Sequence, residues 1–209
     1  MTVLITGVSC VGKTTVGEAL AKVLCVPFED VDQAVERQLG APISHLQRRY
    51  GTMDRYREAA AGVLVSILRD LDGQEAVIAL PPSGLMGPYW RRLKGRSVFT
   101  VVLEDSAENI LERIRFYDED SRPIQRHLSP SERTYYLREI REDMVYFGRS
   151  YRKANARIVM SGCSVAEAAE RIREALGKAA KTVAIEKTES EQQRREQSPP
   201  TARSSKPAP

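Results

Sequence analysis

Residues 7 to 14 read Gly-Val-Ser-Cys-Val-Gly-Lys-Thr, a complete G-x-x-x-x-G-K-[ST] pattern. The chemistry such a run performs is capture of a triphosphate tail. Gly7 and Gly12 let the backbone turn tightly, so that N–H groups of the residues between them, Cys10 and Val11 included, converge on phosphate oxygens at the start of a helix. Lys13 adds a point charge that bridges the β- and γ-phosphates, Thr14 sets its hydroxyl toward Mg²⁺, and Thr15 reaches the α-phosphate. ATP and Mg²⁺ are therefore the expected cofactors, and Lys13 is the first candidate catalytic residue.

Transfer to an alcohol requires more: a carboxylate to support the metal, a group to orient or deprotonate the hydroxyl, and cations for the charge on the moving phosphoryl. Asp30-Val31-Asp32 supplies two carboxylates that share a face at the end of a strand, with Asp30 suited to the metal's hydration shell and Asp32 to the acceptor hydroxyl. The bland alternative makes Asp32 a helix N-cap and Asp30 a solvated loop residue. Residues 117 to 128, YDEDSRPIQRHL, form a polar segment between two helical patterns and suit a mobile lid. Arg122 is its candidate cation, with Arg126 as understudy. His45 and His127 stand alone and suit surface or packing roles. Trp90-Arg91-Arg92 and the Arg-rich stretch from 133 to 153 read as solvated faces, and Cys10 as a small side chain that fits the loop.

The elements that must position these groups are legible from periodicity. Thr2 to Thr6 is a β-branched strand leading into the glycine loop, and Val16, Ala19, Leu20, Val23 and Leu24 mark the helix that leaves it. A short strand over 27–31 precedes a helix over 32–39. A stripe of Tyr56, Ala60, Val63, Leu64, Ile67, Leu68 and Leu71 predicts a long helix. Strands are expected at 76–80, 97–103 and 157–160, and helices at about 107–116, 131–153 and 165–176. Strands separated by helices imply an α/β fold of three α/β/α layers around a five-stranded parallel sheet.

At 209 residues the chain suits one folded domain, here 1–178, followed by a polar tail over 179–209. From Thr182 on, large apolar residues almost vanish and the chain ends SPPTARSSKPAP, the composition of a disordered segment. The net charge is +4, but six Lys/Arg and four Glu from residue 181 onward leave only about +2 for the rest. That excess suits anionic small molecules and makes no case for nucleic acid. No apolar run approaches a membrane span, the first residues carry no signal-peptide pattern, and three widely spaced cysteines read as reduced thiols. The expectation is a cytoplasmic monomer with a small-molecule substrate.

These residues together resemble shikimate kinase, a P-loop kinase family of the nucleoside monophosphate kinase-like architecture and of aromatic amino-acid biosynthesis. The likeness runs over about residues 1 to 177, and its longest block is GKTTVGEALAKVLCVPFEDVDQAVERQLGAPI. The resemblance implies that Asp30 acts on metal-bound water and Asp32 receives the hydroxyl to be phosphorylated. It implies too that Arg57, in the pair Tyr56-Arg57, holds the substrate carboxylate, a task that suits a bidentate guanidinium. Ser121-Arg122-Pro123-Ile124 resembles the lid's Arg-Pro signature, and Arg113 sits approximately where a family arginine flanks the adenine. Two segments depart from the family pattern. Leu80-Pro81-Pro82-Ser83-Gly84 stands where the family has three glycines, which leaves Gly84 as the substrate-side glycine. Gly148-Arg149-Ser150-Tyr151 alters the spacing of an Arg-x-Pro-x-Tyr sequence, with Arg149 in the place of a second carboxylate clamp.

The activity implied is phosphorylation of a hydroxyl on a small, carboxylated acceptor, shikimate first, giving shikimate 3-phosphate. The competing readings are a kinase of gluconate, a cyclitol or a nucleoside monophosphate, and a nucleotide-binding regulatory protein without transfer.

Overall fold

The computed structural model describes residues 1–118, 120 and 122–196, with side chains as far as residue 181. Its elements follow in the order β1 (Thr2–Thr6), α1 (Lys13–Leu24), β2 (Phe28–Asp30), α2 (Val31–Leu39), α3 (Ile43–Tyr50) and α4 (Met53–Asp70). Then come β3 (Val77–Ala79), α5 (Gly87–Leu93), β4 (Val98–Glu104), α6 (Ala107–Glu112), β5 (Phe116–Tyr117) and β6 (Pro123–Ile124), and finally α7 (Pro130–Tyr151), β7 (Ala156–Val159) and α8 (Val165–Glu196). The described residues divide into two units, Met1–Arg173 and one that begins at Glu174.

The first unit is built on a five-stranded sheet in the order β2-β3-β1-β4-β7, with every pairing parallel. Its central strands read as unbroken apolar runs, and Val3, Leu4, Ile5, Val77, Ile78, Val101 and Val102 are all fully enclosed. Burial of consecutive strand residues means that helices cover both faces, as expected for parallel strands. The fold class matches the expectation. Four segments of the site leave C-terminal strand ends of this sheet: 7–12 after β1, Asp30 at the end of β2, Leu80-Pro81-Pro82 after β3, and Asp105 after β4. β1 lies between β3 and β4, the switch in strand order where open α/β sheets bind ligands.

Three local elements went unanticipated. Helix α3 is one face of eight residues, whose single enclosed apolar side chain is Leu46. Helix α5 starts on Gly87-Pro88, where proline suits the first turn. The expected lid contains a small antiparallel hairpin, Phe116 opposite Ile124 and Tyr117 opposite Pro123. Residues 119 and 121 of that lid lie outside the described residues.

Helix α8 runs into the expected polar tail. It continues to Glu196, so 179–196 is helical where a disordered segment was anticipated. The expectation rested on missing apolar residues, but Ala, Glu, Lys, Gln and Arg carry high local helix propensity, and no proline interrupts them before Pro199. Residues 197–209 lie outside the described residues. No helix among the described residues is long and apolar enough to cross a membrane.

Gly7 ties the loop to the sheet. With φ at +148°, a Cβ at this position would stand 2.5 Å from the Leu103 carbonyl oxygen and 2.9 Å from Val11. Backbone cannot yield as a side-chain tip can. Gly7→Ala is expected to cost about 2–4 kcal/mol, combining overpacking with the unfavourable φ, and to lower the thermal unfolding midpoint by roughly 5–15 °C. Calorimetry of the two proteins checks this.

Candidate active site

The loop from Gly7 to Gly12 turns through three residues of positive φ: Gly7 (+148°), Cys10 (+60°) and Gly12 (+108°). Cys10 is a left-handed residue with a side chain, a conformation that carries some strain. Gly12 is the N-cap of α1 and makes no side-chain cap, so the first amides of the helix open onto the loop. Val11 is fully buried and anchors the loop from beneath. Lys13 crosses the turn and donates from Nζ to the carbonyls of Gly7 and Val8, both at 3.1 Å.

Asp30 joins two elements. Its Oδ1 accepts N–H groups of Asp32 (2.9 Å) and Gln33 (3.4 Å), which makes Asp30 the N-cap of α2. Its Oδ2 accepts the Thr14 hydroxyl at 2.7 Å. The bland reading had assigned the cap to Asp32; the structure gives it to Asp30 and leaves the Asp32 carboxylate unspent in the first turn. The Thr14 hydroxyl and Asp30 carboxylate form a pair of hard oxygen donors beside the loop. Mg²⁺ keeps several of its waters and asks for only one or two protein oxygens, so these two residues fit it.

Burial sets the charges of this corner against one another. Loss of water pushes the Asp32 carboxyl up to about 6; Asp30 and Glu36 add to the rise, and Lys13 opposes it. Burial also holds the Lys13 ammonium below its ordinary pKa, while Asp32, Asp30 and Cys10 draw it back up. Asp32 is therefore a carboxylate poised to take a proton near neutral pH.

A cleft of about 890 Å³ collects these groups. From the loop it takes Cys10, Gly12, Lys13, Thr14 and Thr15; from the end of β2 and α2, Asp30 and Asp32; and from the β3 side, Leu80 and Pro82. Arg113, Arg115 and Tyr117 close it from the segment after α6. Arg113 is held in place: Nη1 lies 2.7 Å from Asp105 Oδ2, and the Asp105 side chain is completely enclosed. Asp105 in turn accepts from Ser106 N (2.8 Å) and Asn109 Nδ2 (2.7 Å). Arg115 went unnoticed in the sequence. It lies in the cleft wall and makes no ion pair among the described residues. The available signal was its position two residues after Arg113, in the short irregular stretch between α6 and β5.

The other candidates lie apart from these. Arg57 is not in the cleft wall; its side chain is only 14% exposed and pairs loosely, at 3.7 Å, with an Asp54 that is 92% exposed. Arg57 Nε is enclosed without a hydrogen-bond partner among the described residues. Such an unpartnered buried nitrogen is uncommon in folded proteins. Its charge reaches the buried phenol of Tyr89, which also feels Asp32. Gly84 offers no donor, because its N–H goes to the Pro81 carbonyl at 2.8 Å and a Cβ there would meet Leu80 at 2.5 Å. Arg149 is exposed on α7 and lies outside the cleft wall. Arg122 is 76% exposed in the hairpin turn, 3.7 Å from Asp120, its backbone tied to Asp118 in both directions. Arg126 is committed elsewhere, paired with Glu132 and lying 5.3 Å over the Phe116 ring.

Residues 9–177 match the family model described as shikimate kinase. A shikimate kinase of Cereibacter sphaeroides is 31% identical over 175 residues, 84% of this chain and 82% of that protein. One from Thermus thermophilus is 33% identical over 176 residues, 83% of this chain and 89% of that protein. Among solved structures, the shikimate kinase of Acinetobacter baumannii in complex with shikimate superposes with a TM-score of 0.67 at 25% identity, covering 85% of this chain and 93% of that one.

The charge balance carries a stability consequence whose sign is fixed. A carboxyl raised from 3.8 to about 6 stabilises the folded state only while it is protonated, and that contribution fades as pH rises through 6. Asp32→Asn should therefore unfold at a higher temperature than the parent at pH 7.5, by about 1–3 kcal/mol, with the gap closing near pH 4. Thermal scans at the two pH values check it. Arg115→Ala is expected to raise the KM for ATP roughly tenfold while leaving the fold intact, since a charge-assisted contact is worth about 1.5–3 kcal/mol.

Proposed function

The chain belongs to the shikimate kinase family, and we propose that it transfers the γ-phosphoryl group of ATP to a hydroxyl of shikimate, releasing shikimate 3-phosphate and ADP. The observation that carries this reading is the convergence of Lys13, the Thr14–Asp30 pair and a half-buried Asp32 on one cleft.

In the proposed mechanism the loop amides and Lys13 hold the β- and γ-phosphates, and Thr15 lies beside the α-phosphate. Thr14 and Asp30 would hold Mg²⁺, which neutralises phosphate charge when bound. Asp32 orients the acceptor hydroxyl and takes its proton as the new O–P bond forms and the bond to the β-phosphate oxygen breaks. Lys13 stabilises the charge left on that oxygen. Arg57 takes the acceptor carboxylate with the N–H groups that its own surroundings leave free. Arg122 is a cation that closure of the hairpin would bring to the γ-phosphoryl group, and Arg113 and Arg115 flank the base. The three free thiols, Cys10, Cys25 and Cys163, support a cytoplasmic setting, and we take the enzyme to act as a monomer.

A second reading, phosphorylation of another small carboxylated polyol such as gluconate, gains from one observation. With Arg149 exposed and Pro81-Pro82 in place of a glycine turn, the acceptor side holds a single carboxylate clamp.

The deciding experiment is ADP release with Mg·ATP and a panel of shikimate, quinate, gluconate and nucleoside monophosphates, with mass detection of the product. Shikimate is expected to lead the panel, and preference for a nucleotide would displace the reading. Lys13→Ala should lose at least a thousandfold in kcat, because its contact strengthens in the transition state. The parent's kcat/KM should fall on an acid limb near pH 6, the value Asp32 takes in the free protein.

A further inference from the structure

The cleft wall that carries Leu80 and Pro82 is held in an unusual way. Pro81 and Pro82 have no N–H, the Gly84 amide is donated to Pro81 O, and the Met86 amide to Ser83 O (2.8 Å). The segment thus has few backbone donors to turn toward a ligand. Its carbonyls are fixed from behind by three side chains of other elements. Thr6 Oγ1 donates to Pro81 O at 3.1 Å, Tyr151 Oη to Pro82 O at 3.1 Å, and Lys153 Nζ to Leu85 O at 2.9 Å.

The donors come from informative places. Thr6 is fully enclosed and is the residue before Gly7, so the same strand end starts the phosphate loop and anchors the proline turn. Tyr151, 4% exposed, is the last residue of α7 and stacks on Phe147 with ring centroids 6.2 Å apart. Lys153 also stands 4.8 Å over the ring of Trp90 on α5. At its other end α7 begins at Pro130, capped by a reciprocal Ser129–Glu132 box, directly after the lid segment. A 22-residue helix is a rigid rod of about 33 Å. One rod therefore starts at the lid and ends on the wall beside Asp32.

We propose that Tyr151 is a positioning residue for the acceptor: its hydrogen bond to Pro82 O fixes the proline wall of the cleft, doing through the carbonyl side what glycine amides cannot do here. The inference rests on the functional reading above, because it names the wall that the acceptor meets. Without the phenol hydroxyl the Pro82 carbonyl loses its partner, the turn relaxes, and the acceptor is held less well. The triphosphate side, built on different residues, is left as it was.

The test is steady-state kinetics of full-length Tyr151→Phe, which keeps the ring and its stack on Phe147. The KM for shikimate should rise about five- to twentyfold, the loss expected for a buried hydrogen bond, with the KM for ATP within twofold and kcat within about threefold. Lys153→Met, which frees Leu85 O, should show the same split more weakly. A tyrosine that only stabilised the fold would lower the unfolding midpoint and leave the shikimate KM where it was, or move both KM values together. Either result overturns the inference. A parent protein that phosphorylates none of the panel overturns the functional reading and this inference with it; an active parent whose variant shows no split overturns this inference alone.

Discussion

A lysine ammonium and two carboxylates share one poorly solvated corner at the C-terminal edge of the sheet, and the surrounding structure is organised to keep them there. Each charge alone would be costly to bury. Together they offset one another: Lys13 lowers the cost of ionising Asp32, and Asp30 and Asp32 keep Lys13 protonated against the pull of burial. The balance is incomplete, and its remainder shows as an Asp32 carboxyl lifted to about 6. A fold selected only for stability would replace such a residue. The proposed role gives a reason to keep it, because a base is most useful when its pKa lies near the working pH.

Asp30 shows how local structure and site become the same thing. One oxygen caps α2 and fixes where that helix begins; the other holds the Thr14 hydroxyl of α1. The cap ties the start of α2 to the end of β2, and the Thr14 contact ties both to the phosphate loop. Asp32 then follows two residues later in the first turn, beside Lys13. Removing the Asp30 carboxylate would free the amides at the start of α2 and the Thr14 hydroxyl together, so helix stability and the proposed metal pair cannot be separated at this position.

Much of this was legible in the sequence, and what was not has definite physical causes. The glycine loop, the sheet and the long helices follow from fixed spacing and from apolar runs that only one architecture buries. The cap assignment inverted because Asp30 and Asp32 are chemically identical, and only backbone geometry decides which of them stands at the strand–helix junction. Arg113 holds its position through the enclosed Asp105, a partner eight residues away that no pattern singles out. Arg115 escaped because it lies on an irregular segment, where no periodicity marks which residues face the cleft. The helical stretch to Glu196 escaped because absence of a core was taken as absence of structure, whereas helix propensity is local.

The two halves of the cleft were unequally readable for a reason in the chemistry of each. Triphosphate binding uses main-chain amides, one ammonium and one hydroxyl, so it demands a short contiguous sequence and leaves a signature. In the proposed reading, acceptor binding draws on side chains of separate elements, which leave no contiguous signature because their only shared requirement is to meet at one place. Substitution of prolines in that loop changes its donors without disturbing the sheet, because the loop's own carbonyls are satisfied by Thr6, Tyr151 and Lys153. The wall can therefore change sequence while the phosphate loop beside it does not, because its bracing hydrogen bonds run to carbonyls that every residue type carries.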